Sequence, residues 1–322
     1  MTFVSWPFAI LLLVTLILTP LLRGRGRVLF LLAASYVFYA YWNPWYAFLI
    51  LTSTAIDYAA ALLIASSASA RRRKAALWTS VIANLGLLGY FKYTNFGLHI
   101  VHAWFGASST FLPQSLSIIL PVGISFYTFQ SMAYTIDVYR GRIKAERDFG
   151  AFALYVSFFP QLVAGPIERA ADLLPQVKRL PSATPIQREE GVRLLLWGFM
   201  KKLVFADRLY ALAFPMMKEA GSMHAPDLLF ATLALFTMLY FDFSAYTDMA
   251  RGTALLFGVR LTENFHRPMA ATSIAEFWRG WHMTLSSWVR DYVFIPLGGG
   301  RPRGFWHQTR ITLLTMGLVG LW

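Results

Sequence analysis

Cysteine is missing from all 322 residues, which excludes disulfides, thiolate metal sites and a cysteine nucleophile. With no disulfide to place, that absence says nothing about redox compartment. Charge is also scarce: Asp, Glu, Lys and Arg make up 14% of the chain, against about 25% in soluble globular proteins. Acidic residues account for most of the deficit, with 16 beside 29 Lys and Arg, a net charge of +13. Hydrophobic side chains fill the gap, at 57% of residues and a mean hydropathy of +0.50. Disorder, collagen and a water-soluble enzyme are poor readings of such a chain, and an integral membrane protein is the expectation. On a soluble domain the basic excess would point to nucleic acid. In a membrane protein it marks the cytoplasmic face, and no nucleic-acid partner is expected. Phosphate-binding signatures are absent as well: there is no Walker loop and no dinucleotide fingerprint. Pro296-Leu-Gly-Gly-Gly300 reads as a flexible turn. His99 and His102 lack a Cys, Asp or Glu companion, so no metal site is expected.

What is present is a series of apolar runs, at residues 6–22, 28–42, 45–66, 75–91 and 116–139. The first has no basic residue ahead of it and no small-residue cleavage site behind it, so it reads as a span and not as a signal peptide. Basic residues follow in alternate loops: Arg23, Arg25 and Arg27, then Arg71 to Lys74, then Arg140, Arg142, Lys144 and Arg147. The opposite loops hold Lys92 alone, followed by an uncharged aromatic stretch through Phe111. Positive-inside logic puts all eleven of the clustered cations in the cytoplasm and the N-terminus outside. Residues 149–164 are apolar but carry Pro160, end in Gly165-Pro166 and have cations on both sides, so a re-entrant segment is predicted there. Residues 194–217 then cross outward, with Lys201 and Lys202 near the cytoplasmic interface, and 228–246 return. The predicted class is all-α, a polytopic transmembrane helical protein with re-entrant or broken helices. Residues 1–322 read as a single integral-membrane domain.

The most informative stretch runs from Ser273 to Tyr292. Ser273 and Glu276 fit a capping box, and Phe277, Trp281, Leu285, Trp288 and Tyr292 recur at helical spacing as one apolar stripe. His282 falls off that stripe, on a face with Trp278, Arg279 and Ser286. An imidazole can take a proton from an alcohol near neutral pH, which suits acyl transfer; the plainer reading is a structural histidine bonded to a carbonyl. Asp57 lies inside the third run and reads as a structural hydrogen-bonding group. Asp242, Ser244, Tyr246, Thr247 and Asp248 form a polar group expected to line a cavity. From the residues alone, an enzyme, a transporter and a scaffold all remain open.

From Val122 onward the chain resembles the membrane-bound O-acyltransferase (MBOAT) family, in its bacterial alginate O-acetyltransferase branch. The resemblance rests on Val122-Gly-Ile-Ser-Phe-Tyr-Thr-Phe-Gln130 with Ile136-Asp-Val-Tyr-Arg-Gly141, on Phe158-Phe-Pro-Gln-Leu-Val-Ala-Gly-Pro-Ile167, on 240–250, on Glu263-Asn-Phe-His-Arg-Pro268, and on 277–299 with Phe-Trp-Arg-Gly-Trp-His. It implies an enzyme of the bacterial inner (cytoplasmic) membrane with no bound cofactor. The donor would be a cytoplasmic thioester, acetyl-CoA, and the acceptor a hydroxyl of an extracytoplasmic polysaccharide such as alginate. A periplasmic acetyltransferase partner is implied too. D-alanyl transfer to teichoic acid, or a non-enzymatic transporter or scaffold of the same fold, is the alternative. By the same resemblance His282 is a catalytic residue and Trp278 and Arg279 shape the substrate-binding wall. Asp242, Tyr246, Asp248 and Asn264 would supply its polar lining. The family's second histidine follows a Leu-Trp pair, and this sequence stops at Leu321-Trp322. The expectation is a chain truncated at its C-terminus, lacking its last helices and principal catalytic residue.

Overall fold

Two helix starts in this chain show chemical signals that the sequence carries. Asn43 caps the helix that begins at Pro44, its side chain accepting the Trp45 N–H at 3.0 Å. Thr184 and Gln187 form a reciprocal capping box ahead of Pro185. The computed structural model describes residues 1–105, 113, 115–301 and 304–322. No strand occurs among them, and the fold is all-α, as expected. In chain order the helices are α1 (Trp6–Leu18), α2 (Arg25–Ala40), α3 (Pro44–Ser66), α4 (Ala70–Phe105), α5 (Ile124–Tyr139), α6 (Phe149–Ser157), α7 (Ala170–Arg179), α8 (Pro185–Met200), α9 (Asp207–Lys218), α10 (Ala225–Leu256), α11 (Ile274–Gly280), α12 (Met283–Val289) and α13 (Phe305–Leu321). Two of them, α3 and α10, are individually long and apolar enough to cross a membrane, for which about 20 residues are needed.

Several boundaries differ from those the apolar runs predict. Helix α4 starts on the basic block and continues through Lys92 to Phe105, because no proline interrupts the aromatic stretch. The end of that stretch, 106–111, lies outside the described residues. The fifth run turns helical only at Ile124, after Pro121 and the left-handed Gly123. Ahead of that turn, Asn95 pairs with both backbone groups of Leu116, at 2.8 and 3.0 Å.

Backbone contacts divide the chain into two compact units, one of residues 21–163 and 169–179 (with Met1), the other of 2–20, 164–168 and 180–322. In the first, the three basic clusters meet at one end. Arg25 lies 3.8 Å from Asp148, Arg73 donates to the Tyr139 carbonyl at 3.1 Å, and the Tyr58 hydroxyl donates to the Arg147 carbonyl. The other end is joined by Tyr46, whose hydroxyl donates to the Ile119 carbonyl at 2.8 Å.

The re-entrant expectation for 149–164 has a structural counterpart. Helix α6 is capped by Asp148, runs for 9 residues and breaks at Phe158. Nine residues reach about 14 Å, half of a hydrocarbon core. The freed backbone groups find protein partners, as burial away from water requires. Gln130 Nε2 donates to the Tyr155 carbonyl at 2.6 Å, and Ser35 Oγ accepts the Phe159 N–H at 3.1 Å. Gly123 allows the turn at 158–162 to come close: a Cβ there would lie 2.6 Å from the Leu162 carbonyl oxygen.

Asp57 in α3 is fully buried and accepts from Ser80 Oγ at 2.5 Å and from Asn84 Nδ2 at 2.8 and 3.0 Å, both on α4. Ser53 in turn donates to Asn84 Oδ1 at 2.9 Å. This is the structural hydrogen-bond role read from the sequence. Asp57→Ala leaves buried donors without an acceptor, at about 1–3 kcal/mol each. The melting temperature in detergent should fall clearly for Asp57→Ala and less for Asp57→Asn, which keeps an acceptor oxygen. Equal melting of Asp57→Ala and the wild type would contradict this role.

Candidate active site

The second unit builds its site on α10, and α10 is placed by glycines. Gly191 and Gly198 on α8 face Gly252 and Ala245 on α10, one heptad apart on each helix. A Cβ on Gly252 would lie 2.6 Å from the Gly191 carbonyl oxygen, and one on Gly198 would lie 2.9 Å from that of Ala245. Such small-residue seams let backbones approach where no water drives helices together.

With α10 fixed, Phe236, Tyr240 and Phe243 form a stripe at helical spacing. Against it lies the 277–282 segment. The Trp281 ring is 5.9 Å from Phe236, 6.2 Å from Tyr240 and 5.2 Å from Phe265, and the His282 ring meets Phe243 edge-on at 4.8 Å. The Trp322 ring lies 6.4 Å from that of His282.

Here the predicted single helix is corrected. Helix α11 ends at Gly280, Trp281 is extended, and His282 adopts the left-handed conformation at φ 41°, ψ 54°, as the residue preceding α12. The common face expected for His282, Trp278, Arg279 and Ser286 therefore does not run through the break. Packing of Trp281 among four aromatic rings overrides the local periodicity, and a non-glycine residue takes the strained turn. The capping box is half present: Ser273 accepts the Glu276 N–H at 3.2 Å, whereas the Glu276 carboxylate turns to Thr272. Gly280 matters to the approach of the next segment. His266 N–H donates to its carbonyl at 2.9 Å, and a Cβ at 280 would lie 2.4 Å from the His266 oxygen.

That approach brings Asn264 to His282. Both are buried, at 0% and 3% exposure. Asn264 Oδ1 lies 3.0 Å from His282 Nδ1, 2.9 Å from Thr284 Oγ1 and 3.2 Å from the Thr284 N. The Asn264 carbonyl also accepts the Met283 N–H at 2.9 Å, so one residue closes the strained turn through both its backbone and its side chain. Thr284 Oγ1 accepts the Ile167 N–H at 3.0 Å. Next to Ile167, the buried Glu168 accepts from Thr262 N and Oγ1 at 2.6 and 3.0 Å. His282 lies outside the two long apolar helices, and burial lowers its pKa, favouring the neutral ring.

The other predicted site residues fall elsewhere in the unit. Asp242 pairs with Lys202 at 2.6 Å and Asp248 with Lys201 at 2.7 Å. Lys202 also pairs with Asp207 at 2.8 Å, and its ammonium lies 5.4 Å from the Tyr246 ring centroid. A π-helical segment, Lys201–Ala206, joins α8 to α9 at this point, and both lysines reach α10 from it. Trp278 is half-buried against Phe277 at 5.6 Å, and Arg279 is exposed. Residues not singled out from the sequence are Phe236, Tyr240, Phe243, Thr284 and Glu168. The 236–240–243 spacing was a readable signal for the first three; Thr284 and Glu168 carried none.

Among known proteins, residues 146–322 match the model of the MBOAT, membrane-bound O-acyltransferase family. The "Probable alginate O-acetylase AlgI" of Pseudomonas aeruginosa is 44% identical over 306 residues, covering 92% of this chain and 57% of that protein. The peptidoglycan O-acetyltransferase of Helicobacter pylori is 35% identical over 333 residues, covering 90% of this chain and 62% of that protein. The teichoic acid D-alanyltransferase of Streptococcus thermophilus is 31% identical over 183 residues, covering 55% and 44%. The chain thus spans about three fifths of the length of the first two relatives. With a helical fold, a family match over more than half its residues and a buried histidine held at a broken helix, the chain belongs to the membrane-bound O-acyltransferase family.

Proposed function

We propose that residues 1–322 form an integral-membrane acyltransferase domain that moves an acetyl group from a cytoplasmic thioester, acetyl-CoA, toward hydroxyls of an extracytoplasmic polysaccharide such as alginate. The observation that carries this reading is His282, buried and hydrogen-bonded at a helix break, in a chain 44% identical to an alginate O-acetylase over 92% of its length. In the reaction the hydroxyl oxygen attacks the thioester carbonyl, a C–O bond forms as the C–S bond breaks, and the hydroxyl proton ends on the departing thiolate. His282 binds and polarises the hydroxyl. Trp278 and Arg279 contribute to the substrate wall. Asp242, Tyr246 and Asp248 serve the polar lining through their lysine partners.

The bilayer in question is the bacterial inner membrane, with the N-terminus extracytoplasmic. Convergence of the three basic clusters at one end of the first unit supports that orientation. Cations there would also attract the CoA phosphates. No bound cofactor is needed, and an extracytoplasmic acetyltransferase partner would complete delivery to the polysaccharide. D-alanyl transfer has weaker support, since that relative matches 55% of the chain at 31% identity.

The test is genetic. Deleting the gene should remove ester-linked acetate from the cell's exported or wall polysaccharide, and the complete reading frame should restore it. Loss of D-alanine esters with acetate unchanged would favour the alternative, and no change in either would refute the proposal.

A further inference from the structure

The hydrogen bonds around Asn264 determine where the proton on His282 sits. A backbone N–H can only donate, and that of Thr284 lies 3.2 Å from the side-chain atom of Asn264 shared by all three contacts. Thr284 Oγ1 is already an acceptor for the Ile167 N–H, so its own proton is available to the same atom, 2.9 Å away. An atom that receives two donors is the amide oxygen and not the amide nitrogen, which fixes the orientation of the Asn264 side chain. An amide oxygen has no proton to give. The nitrogen facing it at 3.0 Å, His282 Nδ1, must therefore carry one. The ring is buried between Phe243 and Phe265, an environment that penalises the charged form. In a neutral imidazole with Nδ1 protonated, Nε2 holds the lone pair.

We infer that Asn264 is a positioning residue that locks His282 in its Nδ1–H tautomer and thereby presents Nε2 as a hydrogen-bond acceptor to the hydroxyl of the acetyl acceptor. Asn264 acts through His282 and does not itself touch the substrate. The inference rests on the O-acetyl transfer reading for the identity of the hydroxyl, and on geometry alone for the tautomer. It assigns a reason to the strained turn: the left-handed backbone at His282 brings Nδ1 onto Asn264 while the Met283 N–H reaches the carbonyl of the same residue. Thr284 and Ile167 extend the lock to the 164–168 segment of the same unit, so the tautomer depends on three segments meeting.

The experiment is NMR of the full-length protein in detergent with isotope-labelled histidine imidazole nitrogens. Six histidines are present in this chain, and the His282 signals are those lost in His282→Asn. A protonated Nδ1 with an unprotonated Nε2 is expected for His282. Asn264→Leu should release the lock, giving mixed tautomers and about a 10–100-fold fall in kcat for acetyl transfer with little change in KM. Asn264→Asp, which keeps an acceptor oxygen, should retain Nδ1–H and recover much of the rate. An Nε2–H tautomer in the wild type would overturn the inference, as would an unchanged tautomer in folded Asn264→Leu. If Asn264→Leu does not fold, the wild-type and Asn264→Asp spectra decide the matter. Absence of acetyl transfer by the wild type together with the expected tautomer would refute the hydroxyl assignment and the proposed function, and leave the lock standing.

Discussion

His282→Asn is expected to lower acetyl transfer by about 10²–10⁴-fold, the range typical of a side chain that handles the proton or hydrogen bond of a reacting hydroxyl. Asparagine is the informative replacement because position 282 has φ 41° and ψ 54°, a conformation that asparagine tolerates far better than most residues. Alanine would remove the imidazole and add backbone strain, so a loss of activity in His282→Ala would be open to a trivial explanation. The two variants together separate chemistry from folding. If His282→Asn melts like the wild type and has lost its rate, the imidazole is needed for transfer. If both variants melt like the wild type and keep full rate, His282 is a core histidine bonded to Asn264 and no more.

Gly252→Leu is expected to abolish recovery of folded protein. A Cβ at this position already falls 2.6 Å from the Gly191 carbonyl oxygen and 2.9 Å from the Leu195 backbone nitrogen, and neither can turn aside as a side chain would. Overpacking of a tight core costs about 1–3 kcal/mol for small insertions; a leucine here must separate α8 from α10 along the whole seam. Gly252→Ala should cost an amount within that range. Gly317→Leu is the control, since nothing lies within 4 Å of a Cβ there. Size-exclusion profiles and melting temperatures in detergent report the outcome. Normal melting of Gly252→Leu would mean that the α8–α10 seam does not hold the unit together. The variant also bears on the site, because α10 carries the Phe236, Tyr240 and Phe243 stripe against which Trp281 and His282 pack.

The contrast between α3 and the 273–292 stretch explains which features could be read from the sequence. Asn43-Pro44 is a local start signal, and helix α3 begins there. Pro160 and the cations flanking 149–164 announced a segment that does not span, and α6 breaks accordingly at Phe158. Each of those signals acts over a few residues. The break at Trp281-His282 is marked only by the single Gly280 before it, a residue that helices also tolerate, and the apolar period runs straight through. It exists because Trp281 finds four aromatic rings and His282 finds Asn264, 18 residues earlier in the chain. Likewise, Asp242 and Asp248 were legible as part of a polar group expected to line a cavity. Their partners Lys202 and Lys201, 40 and 47 residues away, were legible only as interfacial cations. Asn264 was named from family resemblance as polar lining. Its contact with Nδ1 depends on a loop approach permitted by Gly280, which no periodicity encodes.

The most direct test supplies acetyl-CoA, radiolabelled in its acetyl group, to the cytoplasmic face of sealed membrane vesicles. The vesicles carry the complete reading frame, the proposed extracytoplasmic partner and the polysaccharide. Label should appear as alkali-labile ester on the polysaccharide with the wild type. With His282→Asn present at equal amount it should fall at least about 10²-fold. Equal labelling by wild type and variant, or no labelling above vesicles that lack the protein, would contradict a role for this domain and its buried histidine in O-acetyl transfer.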